Sequence, residues 1–152
     1  MPQSLANVPL HIVYSTKSRT PWLRDVELRK ELYAYKAAVL KNQIDSPALI
    51  IGGVEDHVHV LCLLSRKYAI KDVVKIAKTE TTKWLKRRDT RLSSFAWQGG
   101  YGAFGVSESK VAQVKQYIAK QEEHHQRLGF QDEFRELCRR HGIEIDERYA
   151  WE

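Results

Sequence analysis

Apolar positions along this chain repeat with two different periods, and the switches between them divide it into elements. Pro9 to Thr16 is β-branched and aromatic and predicts a first strand. From Asp25 the period becomes helical: Leu28, Leu32, Tyr35 and Val39 form one stripe, Asp25 can cap it, and the helix should run to about Gln43. Pro47 precedes Ala48 to Ile51, a second strand. Gly52 and Gly53 then begin the turn into His57-Val-His-Val-Leu-Cys-Leu-Leu64, a third. Ile70 to Arg88 predicts a second amphipathic helix with Ile70, Val73, Ala77, Trp84 and Leu85 on its buried stripe. Trp97 to Val106, rich in glycine and aromatic residues, predicts a fourth strand with irregular ends. Ser107 is placed to cap a third helix, with Val106 and Val111 as a hydrophobic staple and Glu108 in the first turn. A short helix from Gln131 to His141 should stop at Gly142.

Strand, helix, strand, strand, helix, strand is the split βαβ order. It predicts an α+β, ferredoxin-like (RRM-like) domain: a largely antiparallel sheet with two helices on one face, and a further helix toward the C-terminus. In the third strand Val58, Val60, Cys62 and Leu64 would face the two helices, leaving His57, His59, Leu61 and Leu63 on the other side. Two leucines there require cover, and the third helix is the candidate.

That placement changes the meaning of the histidines. His57 and His59 point the same way from a rigid strand, which is half of a divalent-metal site. On the third helix Tyr117 and Gln121 lie about 40° apart, and His124 falls about 20° to the other side of Tyr117. His125 is about 80° away, within the apolar stripe of Val111, Val114 and Ile118. Gln121 is therefore the preferred third ligand and His124 the reserve. Glu55 and Asp56 read as turn residues, either of which could orient an imidazole. Taken singly, each of these residues has a plainer role, as a satisfied histidine or an amphipathic helix position; together they suggest an enzyme.

Length and charge fit that reading. The chain has 152 residues, the size of one domain over 1–152. Its 25 Lys and Arg against 19 Asp and Glu give +6, which suits a polyanionic partner. Two cysteines, Cys62 and Cys138, are too few for a disulfide framework or a cysteine zinc site. With no leader-like N-terminus and no membrane-length apolar run, the expectation is a cytoplasmic, nucleoid-associated protein without a membrane partner.

Three stretches carry a resemblance: Gly52-Gly-Val-Glu-Asp-His-Val-His59, Trp97-Gln-Gly-Gly-Tyr-Gly-Ala-Phe-Gly-Val-Ser107 and Val114-Lys-Gln-Tyr-Ile-Ala-Lys-Gln-Glu-Glu-His-His125. With the tail from Gly142 to Tyr149, they make the chain similar to the single-tyrosine HUH transposases of bacterial and archaeal insertion sequences. The resemblance implies a transposase (HUH endonuclease-like) domain that cleaves and rejoins single-stranded DNA. It assigns the metal ligands to His57, His59 and Gln121, and the nucleophile to Tyr117, through a 5′-phosphotyrosine intermediate. It also implies a homodimer, with the third helix able to serve the partner's site, and leaves open whether a hairpin at the element ends is read. The ion would be Mg²⁺ or Mn²⁺: hard-ion rules permit the first, and imidazole ligands tilt affinity toward the second.

Candidate DNA contacts are Lys71, Lys75, Lys78 and Lys86 on one stripe of the second helix, with Arg87 beside it. Tyr101 and Phe104, set between glycines, could stack unpaired bases or be core aromatics of an edge strand. Lys17 and Arg19 are weaker candidates. The alternative from another class is a non-catalytic, domesticated single-stranded nucleic-acid-binding protein on an RRM-like scaffold. The intact set of His57, His59, Tyr117 and Gln121 argues for the enzyme.

Overall fold

The computed structural model describes residues 2–152. β1 (Pro9–Ser15) lies inside a four-stranded antiparallel sheet, between β3 (His57–Leu63) and β4 (Gly102–Gly105), with β2 (Ala48–Gly53) outside β3. α1 (Val26–Asn42) joins β1 to β2, and α2 (Ile70–Arg88) follows β3. This is the ferredoxin-like α+β arrangement that the order of periods predicts.

Local chemistry sets most boundaries. The Asp25 carboxylate accepts hydrogen bonds from the backbone N–H groups of Glu27 and Leu28, satisfying two donors that the first turn of α1 leaves free. Leu28, Leu32, Val39 and Leu40 of α1 and Val73, Ala77 and Leu85 of α2 pack on Leu10, Ile12, Tyr14, Val58, Val60 and Cys62, the main core. The opposite face carries His11, Val13, His57, His59, Leu61 and Phe104, all buried.

Two elements cover that second face. α3 (Val111–Ala119) packs against β2 and β3, and α5 (Phe130–Arg140) contributes Phe130, Phe134, Leu137 and Cys138 to a second cluster around Val13 and Phe104. Gly52 permits the close approach of α3: a Cβ there would sit 2.7 Å from the Ile118 carbonyl oxygen. The C-terminal segment holds α5 down. Trp151 packs on Phe130 and Phe134, Arg135 pairs with Glu147, and Gln98 donates to the carbonyls of Ala150 and Glu152.

Three expectations change. The fourth strand shrinks from Trp97–Val106 to four residues, with Trp97 making only an isolated bridge to Thr16. Its first part is drawn off as a loop because Lys78 binds the carbonyls of Gln98 and Gly100. Ser107 does not cap the third helix: a 3-10 turn over Glu108–Lys110 intervenes, and the Ser107 hydroxyl pairs with that of Ser109. That helix also ends early. At Lys120 (φ −102°, ψ 22°) the backbone leaves helical geometry, and the four-residue α4 (Gln121–His124) follows as a separate helix. Among the described residues, no helix is long and apolar enough to cross a membrane.

Candidate active site

β3 presents the histidines as its alternation requires, and each ring is oriented from behind. His57 Nδ1 lies 2.7 Å from Asp56 Oδ1, and His59 Nδ1 lies 2.8 Å from His11 Nε2 across the β1–β3 pair. Both Nε2 atoms therefore aim into the space under α3 and α5. A carboxylate or imidazole behind a histidine is the usual means of fixing the face that a ligand nitrogen presents.

Glu133 of α5 meets them there. Its Oε1 is 2.9 Å from His59 Nε2, 3.4 Å from His57 Nε2 and 3.2 Å from His125 Nε2. Its other oxygen accepts hydrogen bonds from the Tyr117 hydroxyl and, at 3.0 Å, from Gln121 Nε2. Gln121 in turn offers Oε1 to His57 Nε2 (3.2 Å) and His125 Nε2 (3.0 Å). One carboxylate thus spans the tyrosine hydroxyl and three imidazoles.

The electrostatics follow from burial and that carboxylate. For Glu133, burial alone would favour the protonated form, but hydrogen bonds from His125, His57 and His59 overcome it and hold the group far below the ordinary carboxylate range. Burial works against a charged His57 too; Asp56 and Glu133 reverse this and raise its pKa to about 9. His59, fully buried, is lowered to about 4 by burial, and His11 to about 3 for the same reason and by its neighbour His59. His57 is thus the cation of the group, and the His11–His59 pair is neutral. For Tyr117, burial and the Glu133 charge both raise the pKa, so its hydroxyl stays protonated.

The donor set suits a divalent ion. Ligand atoms of His57, His59, His125 and Glu133 all lie within 4.8 Å of one another, and the amide oxygen of Gln121 is in reach of two of these imidazoles. A cation here would replace the proton on His57 as the counter-charge to Glu133. His11, already neutral, can accept from His59 Nδ1 and so free the Nε2 lone pair for a ligand bond.

The structure thus gathers His57, His59, Tyr117 and Gln121, all four from one chain. It adds two residues that the wheel argument missed. His125 joins the ligand atoms, while His124 lies against the Tyr117 ring (centroids 4.7 Å apart) on the outer side. The break at Lys120 rotates the residues after it, so a continuous helix is the wrong ruler for choosing between the two. Glu133 carried a readable sign: it falls on the apolar stripe of Phe130, Phe134 and Leu137, where a carboxylate has no reason to be unless something receives it.

The expected DNA contacts fare differently. Lys71, Lys75, Lys78, Lys86 and Arg87 lie on α2, across the sheet from the histidines. Lys78 is occupied by the carbonyls of Gln98 and Gly100. Phe104 is 2% exposed beneath Phe134 and His141, so the expectation of an open stacking ring is corrected; Tyr101 keeps 38% of its surface.

Comparison with known proteins bears on this arrangement. The family described as Transposase IS200 like matches residues 4–121, a stretch that holds His57, His59, Tyr117 and Gln121 and stops short of Glu133. No curated protein matches. Among solved structures, a candidate transposase from Deinococcus radiodurans R1 is 24% identical with a TM-score of 0.63, covering 80% of this chain and 95% of that one. A REP-associated tyrosine transposase bound to a REP hairpin is 11% identical with a TM-score of 0.60, covering 82% and 72%. At these identities the two structures establish a shared fold. The family match spans most of the chain, and with it this protein belongs to the IS200-like transposases.

Proposed function

We propose that this protein cleaves and rejoins single-stranded DNA by transesterification at Tyr117, with a divalent ion held by His57 and His59. Gln121 Oε1 and Glu133 Oε1 are the further ligands, and His125 lies behind them. The observation that carries this reading is the bridging carboxylate. Glu133 joins the Tyr117 hydroxyl to the imidazole Nε2 atoms through one carboxylate, so an ion held at its Oε1 and the imidazoles would lie one carboxylate width from the nucleophile, and a phosphate drawn to that ion would meet Tyr117.

The residues divide the work. Tyr117 Oη forms a bond to phosphorus and the P–O3′ bond breaks; the phenolic proton is, in balance, returned to the 3′ oxygen. The products are a 5′-phosphotyrosine and a free 3′-hydroxyl, and attack by a second 3′-hydroxyl reverses the step without ATP. Asp56 and His11 hold the imidazoles in register. The charge on Glu133 opposes a phenolate at Tyr117, and the divalent ion, when bound, supplies positive charge that offsets both Glu133 and the phosphate oxygens. Imidazole-rich ligation favours Mn²⁺ over Mg²⁺ in affinity. The hairpin in the REP-associated relative supports a hairpin-bearing single strand as the substrate, and the family resemblance supports a homodimer.

The test is covalent capture. With Mn²⁺ and labelled hairpin-forming single strands from the DNA flanking its gene, the protein should give an adduct that survives denaturation. Tyr117→Phe should reduce the adduct by at least about a thousandfold while single-strand binding persists. His57→Ala with His59→Ala should remove the Mn²⁺ dependence. Binding without any adduct would instead establish the non-catalytic reading. Mixing the two variants tests the site's ownership: Tyr117 and the histidines share one chain here, so no recovery is expected, and recovered cleavage would show exchange of helices between subunits.

A further inference from the structure

Tyr117 stands on the wall between two cavities, of about 780 and 680 Å³, and both are also bounded by Leu137 and Arg140 of α5. The larger cavity mixes Lys120, Arg127 and Arg140 with Glu123, Glu133 and Glu136. The smaller lies between the Glu108–Lys110 turn, β4 and α5. It is lined by Lys110, Arg140, His11 and His141, and among the described residues no carboxylate lines it. A polyanion approaching the tyrosine is favoured on that side only.

Two details suit the smaller cavity to a single strand. His141 is exposed and stacks on Phe104 (centroids 4.7 Å, 26° between planes), so one imidazole face is supported from below while the other is open. Arg140 pairs with Glu136 at 3.0 Å, but that carboxylate is shared with Arg139 and both Arg140 and Glu136 are substantially exposed. Such a surface pair holds an arginine weakly, and a phosphate in the groove can compete for its fork.

We propose that this groove carries the single strand to Tyr117, with Lys110 and Arg140 contacting backbone phosphates and His141 stacking on a base. The inference rests on the reading of Tyr117 as the nucleophile, and it moves the expected backbone contacts from α2 to the turn before α3 and to the end of α5. Arg140, which borders both cavities beside the tyrosine, is a positioning residue for the phosphate nearest the bond to be cut.

Salt dependence tests it. Each phosphate contact to a single strand contributes about 0.7 to the slope of log K against log salt concentration. With labelled dT30, EDTA and about 50–300 mM KCl, Lys110→Gln with Arg140→Gln should flatten the slope by about 1.4. His141→Ala should weaken binding about five- to tenfold at an unchanged slope. Lys71→Gln with Lys75→Gln, across the sheet, should leave both unchanged. All these positions are exposed or on the helix surface, and a thermal melt confirms the fold of each variant. An unchanged slope in the groove variant, or a flattened one in the α2 variant, overturns the proposal. If the unaltered protein forms an adduct with Mn²⁺ while the groove variant keeps its slope, the groove is wrong and the tyrosine stands. A flattened slope without an adduct leaves the groove as a binding surface and removes the cleavage. Failure of the unaltered protein to bind dT30 overturns both.

Discussion

On the α1/α2 side of the sheet the core encloses a lysine, Lys36; on the α3/α5 side it encloses a carboxylate, Glu133. Lys36 is wholly enclosed. Its Nζ donates to the Tyr14 hydroxyl at 2.6 Å and lies 4.6 and 4.4 Å from the ring centroids of Tyr14 and Trp97, and no carboxylate pairs with it among the described residues. Burial, with the nearby charge of Lys78, holds its pKa well below the usual lysine range. Glu133 is 2% exposed, yet keeps its charge because imidazole, amide and phenol donors surround it. A buried base without an anion loses its charge and becomes packing. A buried acid ringed by donors stays charged and marks a place where a cation is welcome.

The contrast can be broken most sharply at His57. Its pKa, raised to about 9 by Asp56 and Glu133, means that below pH 9 the imidazole holds a proton which a metal ion must displace. Apparent affinity for Mn²⁺ should therefore rise with pH, about thirtyfold between pH 6.5 and 8, with close to one proton released per ion. Calorimetry in buffers of different ionisation enthalpy reads both quantities. A pH-independent affinity would remove His57 from the ligands.

Glu133→Gln keeps the shape and removes the charge that the α3/α5 face is built around. Mn²⁺ affinity should fall at least about tenfold. The metal-free protein should lose about 2 kcal/mol at pH 7, since His57 keeps its proton with one fewer counter-charge. Denaturant melts with and without Mn²⁺ measure the two effects, and unchanged Mn²⁺ binding would exclude Glu133 as a ligand.

The smallest effect belongs to the other face. Lys36→Met alone should cost about 1–3 kcal/mol, because it orphans the Tyr14 hydroxyl. Lys36→Met with Tyr14→Phe removes both polar partners, and stability should return to within about 1 kcal/mol of the parent with DNA cleavage unaffected. A large loss in the double variant would show that the ammonium is charged and doing electrostatic work there.

Local signals located most of the fold and, of the six residues gathered at the candidate site, His57, His59, Tyr117 and Gln121. Asp25 begins α1 where its cap geometry says it should, α2 runs from Ile70 to Arg88 as its stripe predicts, and His57 and His59 share a face because a strand alternates. On an unbroken helix His125 falls about 80° from Tyr117, away from the ligand face; the turn at Lys120 ends that helix and brings His125 in. Phe104, between glycines, reads as either a stacking ring or a core aromatic, and Phe134 and His141 decide for the core by covering it.

What the sequence by itself determined is whatever depends on neighbours in the chain: element type and order, the N-cap of α1, the glycine stop after α5, the direction of the two histidines, and the basic balance. What only the tertiary structure decided is which distant groups meet them. Glu133 lies 74 residues from His59 along the chain, and it arrives because α5 packs Phe130 and Phe134 on Val13 and Phe104 of the sheet, with Trp151 against them. Periodicity reports which side of a helix is buried. It carries no information about what that side is buried against, and for a carboxylate the identity of that neighbour sets its charge.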